Sequence, residues 1–416
     1  MGGQIFASGP NPLYTPRMPP GIYQHVKAKC HEKLKQLFDE VATPIEGPGK
    51  EDFGDIDFLV HGRSDATDPP FDSPYEWQEA VQIVLGAERR FSQQAQAASF
   101  AISWPTKILQ GVFENQEASS PKDEPRYIQV DVHVCDTPET FRWSVFKQDH
   151  GDLWNLLGST IRPYGLTIDH EALYKAKIHL TSDPDTVLQF LGLDGQRWTQ
   201  PFASMEETYE YAATCRFFYV DPKSADEAGP GDDKERIEGA YTKQNLKSND
   251  RQRMNKRPMF SNWINCFIPR CREKSRFANC QATREGTLKE ALDQFGARKT
   301  YEARILEFQG KRQADTIWKD VIKATIPTDG VNLMFRGGAA NGLKKIILHG
   351  DDSFGVVPSE PLKDETTGLF DEAAVRRFTE AHWKEVGDIV FQRNHEKLLA
   401  KKAKDSENEA EQEEED

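Results

Sequence analysis

The stretch Gly49–Val60, GKEDFGDIDFLV, decides how the rest of the chain reads. Its last six residues, DIDFLV from Asp55 to Val60, predict a short β-strand. Side chains two apart on a strand project from the same face, so Asp55 and Asp57 stand beside each other. Two ionised carboxylates held that close repel, and one is ordinarily driven to take a proton. A divalent metal removes the conflict, because its charge favours both anions. Hard carboxylate oxygens suit Mg²⁺, which keeps several waters and binds substrate phosphates as well. The plain alternative is a strand end facing water. Asp is disfavoured in strands, so two of them in an otherwise apolar strand call for a reason.

A third acid strengthens the metal reading. YIQVDVHV, Tyr127 to Val134, alternates strictly, with Ile128, Val130, Val132 and Val134 on one face. That is the pattern of a central strand with one buried face. Asp131 lies on the opposite face, flanked by Gln129 and His133. If the two strands pair, three carboxylates meet. Three acids can hold two metals about 3.5–4 Å apart, an arrangement suited to in-line displacement at phosphorus. Asp131 would then act as ligand and as the base that activates a hydroxyl.

Around these strands the periodicity predicts helix over 21–42, with Ile22, Val26, Leu34, Leu37, Phe38 and Val41 on one face, and a further helix around Trp77, Val81, Val84 and Leu85. SFAISW, Ser99 to Trp104, predicts another strand. The order helix, strand, helix, strand, strand is an α+β pattern. Residues 1–20 carry five prolines and read as an irregular arm. The expected organisation is this arm, a catalytic domain over 21–150, a helical or small α+β subdomain over 151–220 and a linker over 221–250. A mainly helical domain over 251–400 and an acidic, disordered tail over 401–416 follow. Within 251–400, FRGGAANGLKKIILHG suggests a Gly-rich turn leading into a short strand, with a last helix over about 370–400.

GKEDFGDIDFLV followed by a lone Asp on an apolar strand resembles the DNA polymerase beta superfamily of nucleotidyltransferases. HGDLWNLLGSTIRPYGLTID, His150 to Asp169, resembles the segment after the third acid in the family X polymerases, and LTSDPDTVLQFLGLD, Leu180 to Asp194, resembles the segment that closes their next subdomain. The resemblance covers about 21–200. It implies the nucleotidyltransferase fold, a mixed sheet with flanking helices, here followed by a mainly helical second half. It implies Asp55, Asp57 and Asp131 as metal-binding and catalytic acids, with Mg²⁺ or Mn²⁺ as cofactor and NTP as substrate. Gly54, Lys50, Asp152 and Asn155 match nucleotide-binding positions. Asp152 also reads as a helix N-cap and Asn155 as a helix-surface residue. The chain departs from the family where the triphosphate is gripped: Pro44 and Ile45 replace Gly-Ser, and Gly47 and Pro48 replace an Arg pair. About 20 residues precede the first helix, too few for the DNA-gripping domain of a family X polymerase, so templated repair synthesis is not expected.

RQRMNKRPMFSNWINCFIPRCREKSRF, Arg251 to Phe277, is the basic segment. Arg251, Arg253, Lys256 and Arg257 are candidates for phosphate or acceptor binding, RNA among the acceptors. Phe260, Trp263 and Phe267 at i, i+3 and i+7 read as a core stripe. The formal charge of −14 on 416 residues argues against a uniformly basic nucleic-acid coat. Eight acids fall in the last twelve residues, so the rest carries only −6 and leaves room for a local basic face. The 6 cysteines form no CxxC motif, which fits a reducing, intracellular setting, cytoplasm or nucleus. Phe6 stands where a myristoylation motif at Gly2 requires Ser or Thr. No apolar run of about 18 residues exists, so no membrane span is expected. The first functional reading is an active nucleotidyltransferase. The second is a nucleotide- or RNA-binding or regulatory protein on the same fold with catalysis impaired, and the third an interaction scaffold.

Overall fold

The computed structural model describes residues 3–9, 11–63, 75–105, 125–221, 251–252, 254–255, 257–279 and 282–415, with backbone alone for 402–415. The chain divides into two compact units, Met1–Ala297 and Arg298–Asp416.

The first unit is built on a five-stranded mixed sheet in the order β1-β2-β5-β4-β3. The strands are β1 (Glu40–Ala42), β2 (Asp55–His61), β3 (Ala87–Gln94), β4 (Ala97–Ser103) and β5 (Tyr127–Cys135). β2 and β5 pair in parallel, whereas β1 and β4 run antiparallel to their neighbours. Strand alternation sorts the two faces. Ile56, Phe58, Val60, Phe100, Ile128, Val130 and Val132 are all buried and pack against α1 (Pro20–Leu34) and α2 (Glu76–Leu85). Each such side chain, fully buried, contributes about 1.5–3 kcal/mol.

Among the described residues, apolar clusters cover the two ends of the other face. At one end Phe6 of the amino-terminal arm packs on Ala101 and Tyr127. At the other, Phe141 of α3 (Pro138–Gln148) packs on Leu59 and Cys135. The gap between these two covers exposes the middle of β2 and β5, where the acids lie.

α4 (Leu153–Ile161), a small sheet of β6 (Leu166–Ile168), β7 (Leu173–Lys175) and β8 (Ile178–Thr181), α5 (Pro184–Leu191), α6 (Gly195–Trp198) and α7 (Met205–Ala213) complete the middle of this unit. The helical stretch Pro258–Glu273, which includes a π turn at Trp263–Phe267, belongs here too. Phe260, Trp263 and Phe267 are buried, and the last two pack on Tyr209 and Phe218. The aromatic stripe is core, as its spacing predicts. The division between units thus falls at Ala297, later than the expected start of a domain at 251, because this stripe docks on α7. The expected linker at 221–250 lies almost wholly outside the described residues.

Several local features differ from or add to the expectations. The helix expected over 21–42 stops at Leu34, and Val41 enters the sheet edge opposite Val60. A buried edge strand supplies apolar residues that extend a helical count. The arm is irregular, as expected, but its described residues are packed: Met18 is fully buried and bridges to Phe53, and Tyr14 bridges to Arg126. β3, AERRFSQQ, lacks apolar alternation because it is an exposed edge strand, where charge is favourable. In the second unit the expected Gly-rich turn and strand are one helix, Leu333–His349.

In that second unit, the helix Leu333–His349 packs along the long helix Glu372–Glu415, and Ile317, Val321, Leu343, Ile347, Val375 and Val386 form the core. Its glycines serve close approach. A β-carbon on Gly342 would stand 2.5 Å from Val386 Cγ1 and 3.0 Å from Val390 Cγ2. Gly342→Ala is therefore expected to destabilise this unit by about 1–3 kcal/mol, although alanine is the better helix former. Thermal unfolding of the variant checks this. The helix Glu372–Glu415 continues through the segment expected to be disordered. That expectation weighed charge alone, whereas Ala, Glu, Lys and Gln, which fill the segment, are strong helix formers. No helix among the described residues is long and apolar enough to cross a membrane.

Candidate functional site

The register of the β2–β5 pair brings the acids together. Asp57 is the direct partner of Asp131, and Asp55 is the partner of Gln129. Ser99 of β4 is opposite Asp131 from the other side. Asp55, Asp57, Gln129, Asp131 and Ser99 therefore share the open face. Asp57 is exposed and Asp55 and Asp131 half-buried. A cleft of about 640 Å³ opens beside them, lined in part by Gln93, His133, Lys147, Asp169 and His170. That volume matches a small-molecule pocket.

The electrostatics follow from this crowding. The Asp57 pKa is pushed up to about 7 by loss of solvent in the cleft, then by the negative charges of Asp55, Asp131 and Glu46, with Lys50 opposing. Although the carboxyl is accessible through the cleft mouth, surrounding protein atoms displace much of its water. Asp131 is also raised by burial, against the hydrogen bonds it receives from Ser99 and Gln129. Gln129 Nε2 donates to both Asp131 oxygens, at 3.0 and 2.9 Å. This turns the Asp131 carboxylate along its own strand. Among the described residues, no three Asp, Glu, His or Cys side chains are already posed as a metal-binding group. The donor set nevertheless fits a hard cation: hard oxygens in register on one face, with a pKa held up partly by like charge, which a cation reverses.

The loop from Thr43 to Gly54 leads into β2, and its Glu46 and Lys50 both act on the charge of Asp57. Lys50 pairs with Glu46, which also accepts a hydrogen bond from the Tyr23 hydroxyl. The Tyr23 ring stacks on Phe53 at 3.8 Å. Burial, then Glu46, raises the Tyr23 pKa, so the phenol stays protonated and donates. Ile45 is tied down at both backbone atoms: its N–H donates to Asp149 Oδ1 at 2.7 Å, and its carbonyl accepts from His150 N–H at 2.7 Å. Gly47 lies against His150 and Gly151. Ile45 and Gly47 thus hold the loop to the following subdomain.

Asp152 stands at the N-cap of α4 but makes no side-chain cap bond. Its Oδ1 instead accepts from Asn155 Nδ2 at 3.0 Å and pairs with Arg257. Asp152, Asn155 and Arg257, drawn from separate sequence signals, therefore meet. Arg251 is exposed, and Arg253 and Lys256 lie outside the described residues. Arg270 and Arg276 of the basic segment pair with Glu206 and Glu210 of α7. Arg257, Arg270 and Arg276 of the basic segment are thus each paired with an acid of the first unit. Cys271 is buried and Cys266 exposed, while Cys280 lies outside the described residues.

Sequence reasoning missed Gln129, Ser99, Glu46, Asp149 and His150. Gln129 and Ser99 sit at alternate positions on the acids' own face, and that periodicity could have singled them out. Asp149 and His150 act through contacts with the distant Ile45 and Trp198, and Glu46 through Tyr23 as well as its neighbour Lys50, so no periodicity marks them. No protein-family model matches the chain, and a search of curated proteins finds no match.

Proposed function

We propose that the first unit is a metal-dependent nucleotidyltransferase of the polymerase beta type, which moves a nucleoside monophosphate from an NTP to a hydroxyl acceptor. The observation that carries this reading is the pairing of Asp57 with Asp131, with Asp55 on the same face, at a cleft of small-molecule size. Asp55, Asp57 and Asp131 would hold Mg²⁺ or Mn²⁺, which when bound neutralises triphosphate charge and lowers the pKa of the attacking hydroxyl.

The chain's own residues supply the rest. The acceptor lies in the cleft with its hydroxyl toward Asp131, which takes the proton. The hydroxyl oxygen bonds to the α-phosphorus, the α–β phosphoanhydride bond breaks, and pyrophosphate leaves. Lys50, close enough to Asp57 to oppose its raised pKa, meets the triphosphate as a point charge. Arg257, Asp152 and Asn155 face the base and sugar. Lys50→Ala is expected to raise KM for NTP about tenfold with little change in kcat, since it removes ground-state and transition-state binding alike. Steady-state kinetics over NTP concentration check it.

Pyrophosphate release tests the reading. Purified protein with NTPs, a panel of hydroxyl acceptors and Mg²⁺ or Mn²⁺ releases pyrophosphate, and a chelator stops it. Absence of release with every NTP and acceptor, under both metals, would sink the assignment. One observation favours a second reading, an NTP- or RNA-binding protein without turnover: Ile45, where the family's Gly-Ser grips phosphate, has both backbone atoms engaged by Asp149 and His150. NTP binding without pyrophosphate release selects it.

A further inference from the structure

The amino-terminal arm touches both acid-bearing strands. Gly3 is buried with φ +83°, and a β-carbon there would stand 2.0 Å from the carbonyl oxygen of Gly54, the residue before Asp55. Two residues on, Ile5 N–H donates to Gln129 Oε1 at 3.1 Å. The arm is held in this path by its own bonds. Thr15 Oγ1 donates to Gly3 O at 2.8 Å, Leu13 N–H to Phe6 O at 2.8 Å, and Tyr127 N–H to Tyr14 O at 2.9 Å.

Gln129 is only 2 % exposed. An apolar residue would serve packing better at such a position, since a buried amide costs free energy unless its groups are paired. Gln129 is paired at both ends, with Ile5 on its oxygen and Asp131 on its nitrogen. A carboxamide has one accepting and one donating end. The Ile5 N–H fixes which end faces the arm, and so obliges the amino group to face Asp131. Without that N–H the amide is free to turn its oxygen toward the carboxylate, where two acceptors repel. The bond between Gln93 Nε2 and Ser99 Oγ, at 2.8 Å, does the corresponding work from β4: it occupies a Ser99 lone pair and leaves the hydroxyl hydrogen for Asp131.

We infer that Gly3–Ile5 is a clamp on the carboxylate site, and that Gln129 is the positioning residue through which the clamp orients Asp131. The inference rests on the proposed metal-binding role of the three acids and adds to it the arm as a working part of the site. Anything that lifts the arm loosens Asp131 and, through Gly54, the start of β2.

Mn²⁺ binding to the full-length chain, followed by electron paramagnetic resonance, tests this. Asp131→Asn, Gln129→Met and Gly3→Ala are compared with wild type, each with a metal-free thermal melt. Gln129→Met conserves volume and removes all three side-chain hydrogen bonds. Gly3→Ala forces the arm from Gly54 while leaving Phe6 and Met18 to hold the fold. Partners of metal ligands change affinity about 10–100-fold when removed, so at least a tenfold weaker Mn²⁺ affinity is expected in both variants, with metal-free melting close to wild type. Unchanged affinity in both variants, alongside loss in Asp131→Asn, overturns the clamp and leaves the proposed function standing. If wild type binds no Mn²⁺, or Asp131→Asn binds as wild type does, the proposed function fails and the clamp with it.

Discussion

Asp57→Asn is expected to reduce nucleotidyl transfer at least about 1,000-fold. Asp57 is the middle acid of the three, opposite Asp131 across the parallel pair and two residues from Asp55. On the proposed function, replacing its carboxylate removes one of the three acids that would hold the metal, and with it one unit of negative charge from the site. Metal stabilisation of a phosphoryl transition state is worth several kcal/mol, and each 1.36 kcal/mol is tenfold in rate, so about 1,000-fold is the lower end. Asn has nearly the same volume, and Asp57 opens to the cleft, so the fold is retained. The metal-free thermal midpoint is expected to stay or rise, because a like charge leaves the side of Asp55 and Asp131. Single-turnover transfer with an excess of enzyme measures the rate. Asp57→Asn turnover within tenfold of wild type removes Asp57 from the chemistry.

The second large effect lies at the buried pair Asp149 and His150, which fastens the Ile45 loop to α4 and α6. Asp149 is 6 % exposed and accepts from Ile45 N–H and from the Trp198 indole. Burial outweighs these bonds and pushes its pKa up to about 6 from 3.8. His150 is fully buried, with Nε2 2.7 Å from the Trp198 carbonyl oxygen and Nδ1 unpartnered. Burial, with the Arg197 charge adding to it, holds its pKa down at about 4 from 6.5. Between pH 4 and 6 the folded chain binds more protons at Asp149 than the unfolded chain, so that group's contribution falls as pH rises. At His150 the unfolded chain binds more, so its contribution rises between pH 4 and 6.5. Each shift corresponds to about 3 kcal/mol, and the two oppose each other.

Wild type is therefore expected to show a nearly flat contribution from this pair. Asp149→Asn breaks the balance: the amide oxygen still accepts from Ile45, but the raised acid is gone. Relative to wild type, the variant's stability is expected to climb by about 3 kcal/mol from pH 4 to 6, because the opposing Asp149 contribution is gone and that of His150 remains. Urea unfolding at several pH values across that range reads it directly. A variant profile parallel to wild type contradicts the pairing.

How much of this could be read in advance depended on where each signal lives. The three acids were legible because strand alternation is local: Asp55 and Asp57 break an apolar run, and Asp131 sits opposite the Ile128–Val134 row. The register that sets Asp57 against Asp131 was not legible, since it is fixed by a crossover through α2, β3 and β4. The arm was read as irregular from its prolines, and its bonds to distant segments leave no period that would have shown its packing. The Gly-rich helix Leu333–His349 was hidden by its glycines, which mark a turn in isolation and a close helix contact when Val386 and Val390 lie alongside. Asp152 drew two readings, cap or ligand-facing acid, and the structure sets aside the capping bond by pairing it with Arg257.

The central claim concerns which bond of the nucleotide breaks, and isotopic position answers it. Two parallel reactions with Mg²⁺, one with ATP labelled at the α-phosphorus and one with ATP labelled at the γ-phosphorus, are run against the acceptor that supports pyrophosphate release. The proposed chemistry predicts α-label in the acceptor and γ-label in pyrophosphate, both lost in Asp131→Asn. Label from the γ-phosphorus on the acceptor or in free phosphate, or α-label transfer that survives Asp131→Asn, contradicts it.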